Sequence, residues 1–205
     1  MKIHIFSAFV VGLVASLAAL AADIEVAGDS AANRVAIGTC AGCHGPHGLS
    51  DVPRFPKLAG QPANYISAQL KAFRDHTRKD PDAQSFMWGI AASLDEKQID
   101  AVARYYAAQP PQSHSSSASA EAVRGKTIYE KGIESQQVPA CAGCHGLKAE
   151  GLADIPRLAG QHSPYFLDQM RSYKGSARSS DLMQPIASRL DARNLEDLAA
   201  YVHSR

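Results

Sequence analysis

Cys40-Ala-Gly-Cys-His44 and Cys141-Ala-Gly-Cys-His145 each place two thiols three residues apart, with an imidazole directly after the second. Thiols at that separation can each form a thioether to one of the two vinyl groups of a haem. The adjacent histidine is then carried beneath the ring, where a nitrogen reaches iron; C-x-x-C-H is the attachment pattern of haem c. Rival chemistries fit less well. A redox dithiol or a four-cysteine zinc site does not require a histidine after each pair, and these four are all the cysteines of the 205-residue chain. Disulfides, the ordinary reading of an even cysteine count in an exported chain, leave the two histidines unexplained. The expected cofactors are two covalently bound haem c groups on Cys40, Cys43, Cys141 and Cys144, with His44 and His145 on the irons.

The second axial position is open to the methionines. Beyond Met1 the chain has Met87, Met170 and Met183. Met170 answers Leu70 on an apolar stripe, so packing explains it. Met87 and Met183 answer each other, in stretches read as loops ahead of a final helix. A shared position behind each haem motif points to thioether ligation over gap filling. His47, His76, His114, His162 and His203 find no histidine in the other copy and are assigned surface or local hydrogen-bonding roles. A His/Met pair favours ferrous iron and leaves no position for oxygen or peroxide, so such a site passes electrons. Pro56 and Pro156 open "PKLAGQ" and "PRLAGQ"; a carbonyl held there is expected to accept the Nδ1–H of the ligand histidine, the alternative being a simple turn proline. Arg78 and Arg178 also repeat, and both propionate pairing and a solvated helix end stand open for them. Trp88, answered by Gln184, is read as packing at the first haem's edge.

The elements that position these residues repeat with them. "FPKLAGQ" at 55–61 answers "IPRLAGQ" at 155–161; Ile66, Leu70 and Phe73 answer Phe166, Met170 and Tyr173, at the i, i+4, i+7 spacing of an amphipathic helix. Ile99, Val102, Ala103 and Tyr106 answer Leu195, Leu198, Ala199 and Val202, each set behind an aspartate, Asp95 or Asp191, suited to an N-cap. No stretch alternates well enough for a strand. The predicted architecture is all-α: a domain over 23–110, a Pro/Ser/Ala linker over 111–120 and a second domain over 121–205. Domains this small have thin cores and commonly need a cofactor as a staple.

Residues 1–22 carry Lys2, an apolar run from Ile5 to Leu20 and small residues at Ala19–Ala22, the pattern of a cleaved export signal. A formal net charge of +1 argues against a nucleic-acid partner. The halves are nearly even: Asp23–Gln112 holds 9 basic and 10 acidic residues, and Glu121–Arg205 holds 11 and 10.

The doubled "CAGCHG", the doubled "LAGQ", the two methionines in register and the lead-in "GKTIYEKGI…VPACAGCHG" at 125–146 resemble the dihaem cytochrome c4 family over nearly the whole chain after the signal. That resemblance implies two tandem class I cytochrome c domains related by a pseudo-twofold axis, with haems near the domain interface. It implies a periplasmic electron carrier, soluble or loosely membrane-associated and monomeric, taking electrons from an upstream quinol-oxidising complex or dehydrogenase and passing them towards a terminal oxidase. The ligands carried over are His44 with Met87 and His145 with Met183. Asn33 stands where the second copy has Gly125, so the packing of the first lead-in helix is expected to differ. Two other readings use similar parts. One is a dihaem subunit of an oxidoreductase such as a sulfide-oxidising flavocytochrome. The other is a dihaem peroxidase, which needs an open or displaceable sixth ligand.

Overall fold

A computed structural model describes residues 34–112 and 119–205. The export signal and His114 lie outside the described residues. In the first half, a π-helical turn (Ala36–Cys40) runs into α1 (Ala41–His44), and α2 (Ala63–Arg74) follows. A second π-helical turn (Ala83–Met87) leads into α3 (Trp88–Ala92), and α4 (Glu96–Ala107) closes the half. The second half contributes α5 (Ala120–Lys131), α6 (Ala142–His145), α7 (Ser163–Lys174), α8 (Met183–Arg189) and α9 (Ala192–His203). Among the described residues the only β pairing is two isolated bridges, Ile133 with Val138 and Leu152 with Ile155.

The closing helices are set by their first residues. Asp95 accepts from the Gln98 amide at 2.8 Å while the Gln98 side chain accepts from the Asp95 amide at 2.9 Å. Asp191 and Asn194 form the same box on α9. Each box satisfies helix-end N–H groups that would otherwise lack partners. Behind it, Ile99, Val102, Ala103 and Tyr106 are buried on α4, and Leu195, Leu198, Ala199 and Val202 on α9. Burying a large apolar side chain contributes about 1.5–3 kcal/mol, so these stripes are the main reason the closing helices dock. Helix α4 ends at Ala107, ahead of Pro110 and Pro111, which cannot continue a helix.

Helix α5 lies against α9 at close range. A Cβ on Gly125 would stand 1.9 Å from the Asp197 carbonyl oxygen, so only glycine admits the crossing. Beside it Arg124 donates to both carboxylate oxygens of Asp197, at 2.9 and 2.7 Å.

Met87 and Met183 are not in loops. Met87 ends the π-helical turn before α3, and Met183 is the first residue of α8. The physical reason is local capping: the Ser180 hydroxyl accepts the Met183 amide at 3.1 Å, as Asp80 accepts the Ala83 amide at 3.2 Å. Both starts are therefore satisfied without an apolar period long enough to be recognised.

Candidate haem sites

Each C-x-x-C-H stretch forms a short helix that ends on its histidine. Gly45 and Gly146 follow at φ +74° and +85°, a left-handed turn that a Cβ would obstruct in both places, against the Leu49 carbonyl or the Glu150 carboxylate. The turn carries the chain under the histidine. His44 Nδ1 then lies 2.9 Å from the Pro56 carbonyl oxygen, and His145 Nδ1 lies 2.9 Å from that of Pro156. Burial lowers the pKa of both imidazoles against the opposing pull of these carbonyls. Both rings are thus neutral near pH 7, with Nδ1 donating its proton and the Nε2 lone pair left for a metal.

The thiols are unpaired: all four cysteines are free. Cys43 and Cys144 are exposed, whereas Cys40 and Cys141 are half-buried. Burial raises both of the latter, Cys141 to about 11, so they are uncharged thiols near neutral pH. In the first half Cys40 and Met87 border the same core, built on Ile66, Leu70, Ile99, Val102 and Tyr106. In the second half Cys141 and Met183 likewise border one core. A ring chain runs from His44 to Phe55, centroids 6.2 Å apart, and on to Phe86 at 5.4 Å, the residue before Met87. Met170 is buried in the second core.

Arg78 and Arg178 are not at solvated helix ends. Both are buried where the halves meet. Arg78 donates to Asp80 at 2.7 Å, Gln69 at 2.9 Å, Gln169 at 2.7 Å and Tyr165 at 3.3 Å. Arg178 donates to Gln169 at 2.8 Å, Tyr65 at 2.8 Å and Gln69 at 2.9 Å. The two glutamine oxygens are shared between the two guanidiniums, and among the described residues the only carboxylate bonded to either is Asp80. Burial alone would lower the Arg78 pKa; the oxygens of Tyr165, Tyr65 and Asp80 outweigh it and raise it. For Tyr65 burial works upward, but the charges of Arg178 and Arg78 prevail and lower it.

His162 is also at this seam and not at the surface, its Nε2 donating to the Ser50 carbonyl at 2.9 Å. Trp88 donates to the Arg78 carbonyl at 2.8 Å and stacks on His76 with centroids 4.0 Å apart. Sequence reasoning missed the seam residues Gln61, Tyr65, Gln69 and their counterparts Gln161, Tyr165, Gln169. The signal was there: identical polar residues recur at a constant offset, four apart within each copy.

A family model for cytochrome c matches twice, over residues 30–107 and 122–205. The cytochrome c4 of Azotobacter vinelandii is 32% identical, covering 87% of this chain and 90% of that protein. The solved cytochrome c4 of Acidithiobacillus ferrooxidans is 40% identical with a TM-score of 0.76, covering 81% of this chain and 98% of that one. The chain belongs to the dihaem cytochrome c4 family. Also similar is the thiosulfate dehydrogenase electron acceptor of Thiomonas intermedia, 31% identical over 80% of this chain and 77% of that protein.

As a cytochrome c4 the protein holds two tandem cytochrome c domains, carries two covalently bound haem c groups and works in electron transfer, with no catalytic reaction of its own. The residues present fit the cofactor. Each domain offers two free thiols and a neutral imidazole whose Nδ1 is fixed and whose Nε2 is available. No helix among the described residues is long and apolar enough to cross a membrane.

Proposed function

We propose that both haems are closed His/Met sites, His44 with Met87 in the first domain and His145 with Met183 in the second, in a periplasmic carrier. The observation that carries this reading is the pair of matched 2.9 Å bonds from His44 to Pro56 and from His145 to Pro156. An imidazole anchored through Nδ1 has one orientation and one nitrogen left to give. When bound, the haem supplies reversible one-electron exchange at its iron.

Everything else is done by the chain. Cys40, Cys43, Cys141 and Cys144 tether the groups, so none is lost on each cycle. With haem bound, the thioethers of Met87 and Met183 would hold the irons together with the histidines, raising the potentials and keeping small ligands off the metal. Arg78 and Arg178 bring two guanidinium charges against one carboxylate at the domain seam. A buried surplus charge of that kind calls for an anion, and the propionates of a bound haem would supply it.

Domains over 23–110 and 121–205 are joined by a linker at 111–120, behind an export signal at 1–22. The carrier is monomeric, soluble or loosely membrane-associated, and runs between an upstream dehydrogenase or quinol-oxidising complex and a terminal oxidase. A second reading is favoured by the Thiomonas relative, an acceptor for thiosulfate dehydrogenase. In that case this chain accepts electrons within a dehydrogenase complex.

Reductive titration of the purified holoprotein, with gel filtration of the same sample, tests the proposal. A monomer taking up two electrons reversibly by itself is the expected result. Uptake of one electron, or native co-purification with a dehydrogenase subunit, overturns the free-carrier reading.

A further inference from the structure

The two "LAGQ" stretches repeat as faithfully as the haem motifs, and haem attachment does not explain them. Their backbones are tied within their own domains. Leu58 and Ala59 donate to the Gly48 carbonyl at 2.9 and 3.3 Å, and Gly60 donates to that of Tyr106 at 2.9 Å. Leu158 and Ala159 donate to the Ala149 carbonyl at 2.8 and 2.9 Å, and Gly160 to that of Val202 at 2.8 Å. Each motif thus straps the loop behind a haem-binding histidine to the closing helix.

The glutamine side chains reach the other way, across the seam, the Gln161 oxygen also accepting the His162 amide of its own domain at 3.1 Å. Gln161 accepts from the Lys57 amide at 3.0 Å and donates to the Lys57 carbonyl at 3.1 Å. Gln61 accepts from the Arg157 amide at 3.0 Å and donates to the Arg157 carbonyl at 2.7 Å. Both glutamines are buried, each 6% exposed. The Lys57 amide belongs to the same peptide group as the Pro56 carbonyl, which accepts the proton of His44. An unbroken chain results: His44 Nδ1–H to the Pro56 oxygen, through one peptide group, and from the Lys57 N–H to Gln161. Its twin runs from His145 through the Pro156–Arg157 peptide to Gln61.

Hydrogen bonds in series polarise one another, by about 10–30% per bond. A glutamine oxygen drawing on the Lys57 N–H makes the Pro56 oxygen a stronger acceptor. A stronger acceptor at Nδ1–H makes the imidazole a more basic ligand. A more basic ligand favours ferric iron and lowers the potential of that haem. We propose that Gln61 and Gln161 are crossed positioning residues, each setting the histidine of the haem in the other domain: Gln161 acts on His44, and Gln61 on His145. This rests on the reading of His44 and His145 as the proximal ligands.

The test uses the full-length holoprotein with Gln161→Leu and Gln61→Leu made singly. Potentials are resolved haem by haem through the paramagnetically shifted haem methyl resonances. In Gln161→Leu the reduced-to-oxidised ratio of the first haem at a fixed potential rises severalfold, and that of the second moves much less. Gln61→Leu gives the reverse. Solvent exchange of the histidine Nδ1 proton speeds up in the opposite domain only. Gln161→Glu and Gln61→Glu put a carboxylate, a stronger acceptor, in place of the amide oxygen, so they shift the same opposite-domain haem the other way and carry the test if a leucine variant fails to hold its haem. Equal shifts at both haems, a shift confined to the glutamine's own domain, or no shift overturns the proposal. Failure of the ligand reading is separable, because wild-type spectra would then lack an iron-bound imidazole before any variant is made.

Discussion

The two domains agree where the chain meets a haem and differ in the side chains that flank the methionine and the buried arginine of each. The His–Pro bonds match to the reported distance, the left-handed glycine turns match, and the closing helices start from the same aspartate box. The surroundings diverge. In the first domain the segment before Met87 is braced by Phe55, Phe86 and the Arg54–Asp82 ion pair, with Arg54 4.9 Å above the Phe86 ring. In the second, Ile155 and Leu182 stand at those stations, and Leu182 is 66% exposed against 37% for Phe86. His76 stacks on Trp88 in one domain, while Gln184 donates to the Ser176 hydroxyl at 2.7 Å in the other. Asp80 neutralises Arg78, but Ser180, two residues after Arg178, carries no charge. The difference teaches that attachment chemistry was held fixed while the electrostatics of each site were free to move, which is how one duplicated domain can yield two unequal haems.

The largest effect expected from breaking this pairing comes at the tether. Cys141→Ser with Cys144→Ser removes half of the covalently bound haem and unfolds the second domain, leaving the first spectroscopically intact. Cys40→Ser with Cys43→Ser does the mirror image. Haem staining and hydrogen exchange by domain check both.

Asp80→Asn comes next. It leaves two buried guanidiniums with no carboxylate from the protein, at a cost of about 3–5 kcal/mol, measured by denaturant unfolding of the holoprotein. The matched change Ser180→Ala removes only a helix-start bond to Met183 and costs about 1 kcal/mol. Similar losses from the two changes would contradict the charge asymmetry. Gly125→Ala follows, driving a methyl into the Asp197 carbonyl and destabilising the second domain by about 1–3 kcal/mol.

The smallest effect is a pH dependence at the start of α4. Hydrogen bonds from Lys71 and Arg74 hold the Glu96 carboxyl below its ordinary range. A depressed carboxyl contributes stability above its unfolded pKa and loses it as pH falls through the folded one. Ala192 occupies this station in α9. Acidification therefore loosens α4 before α9 in hydrogen exchange, and Glu96→Gln abolishes that order.

Much of this was legible in the sequence. The haem motifs, the capping aspartates and the apolar stripes each depend on short-range chemistry that a single stretch displays. Met170 is separated from Met87 and Met183 by its place on an apolar period. The seam was legible only as a recurrence of identical polar residues, because Gln61, Tyr65, Gln69 and Arg78 each read as an ordinary polar face until a second copy covers them. A buried guanidinium and a solvated one are written with the same letter, and the partners of Arg78 in the second domain lie 87 and 91 residues away. The helical placement of Met87 and Met183 escaped for a similar reason, since short capped turns show no period.

The most direct measurement is the optical spectrum of the ferric holoprotein, read with a pyridine haemochrome count. Two haem c per chain, with the weak far-red band of methionine bound to ferric iron at an intensity matching two sites, is the predicted result. One haem per chain, a band at half that intensity or a spectrum of bis-histidine iron would contradict the account of two closed His/Met sites.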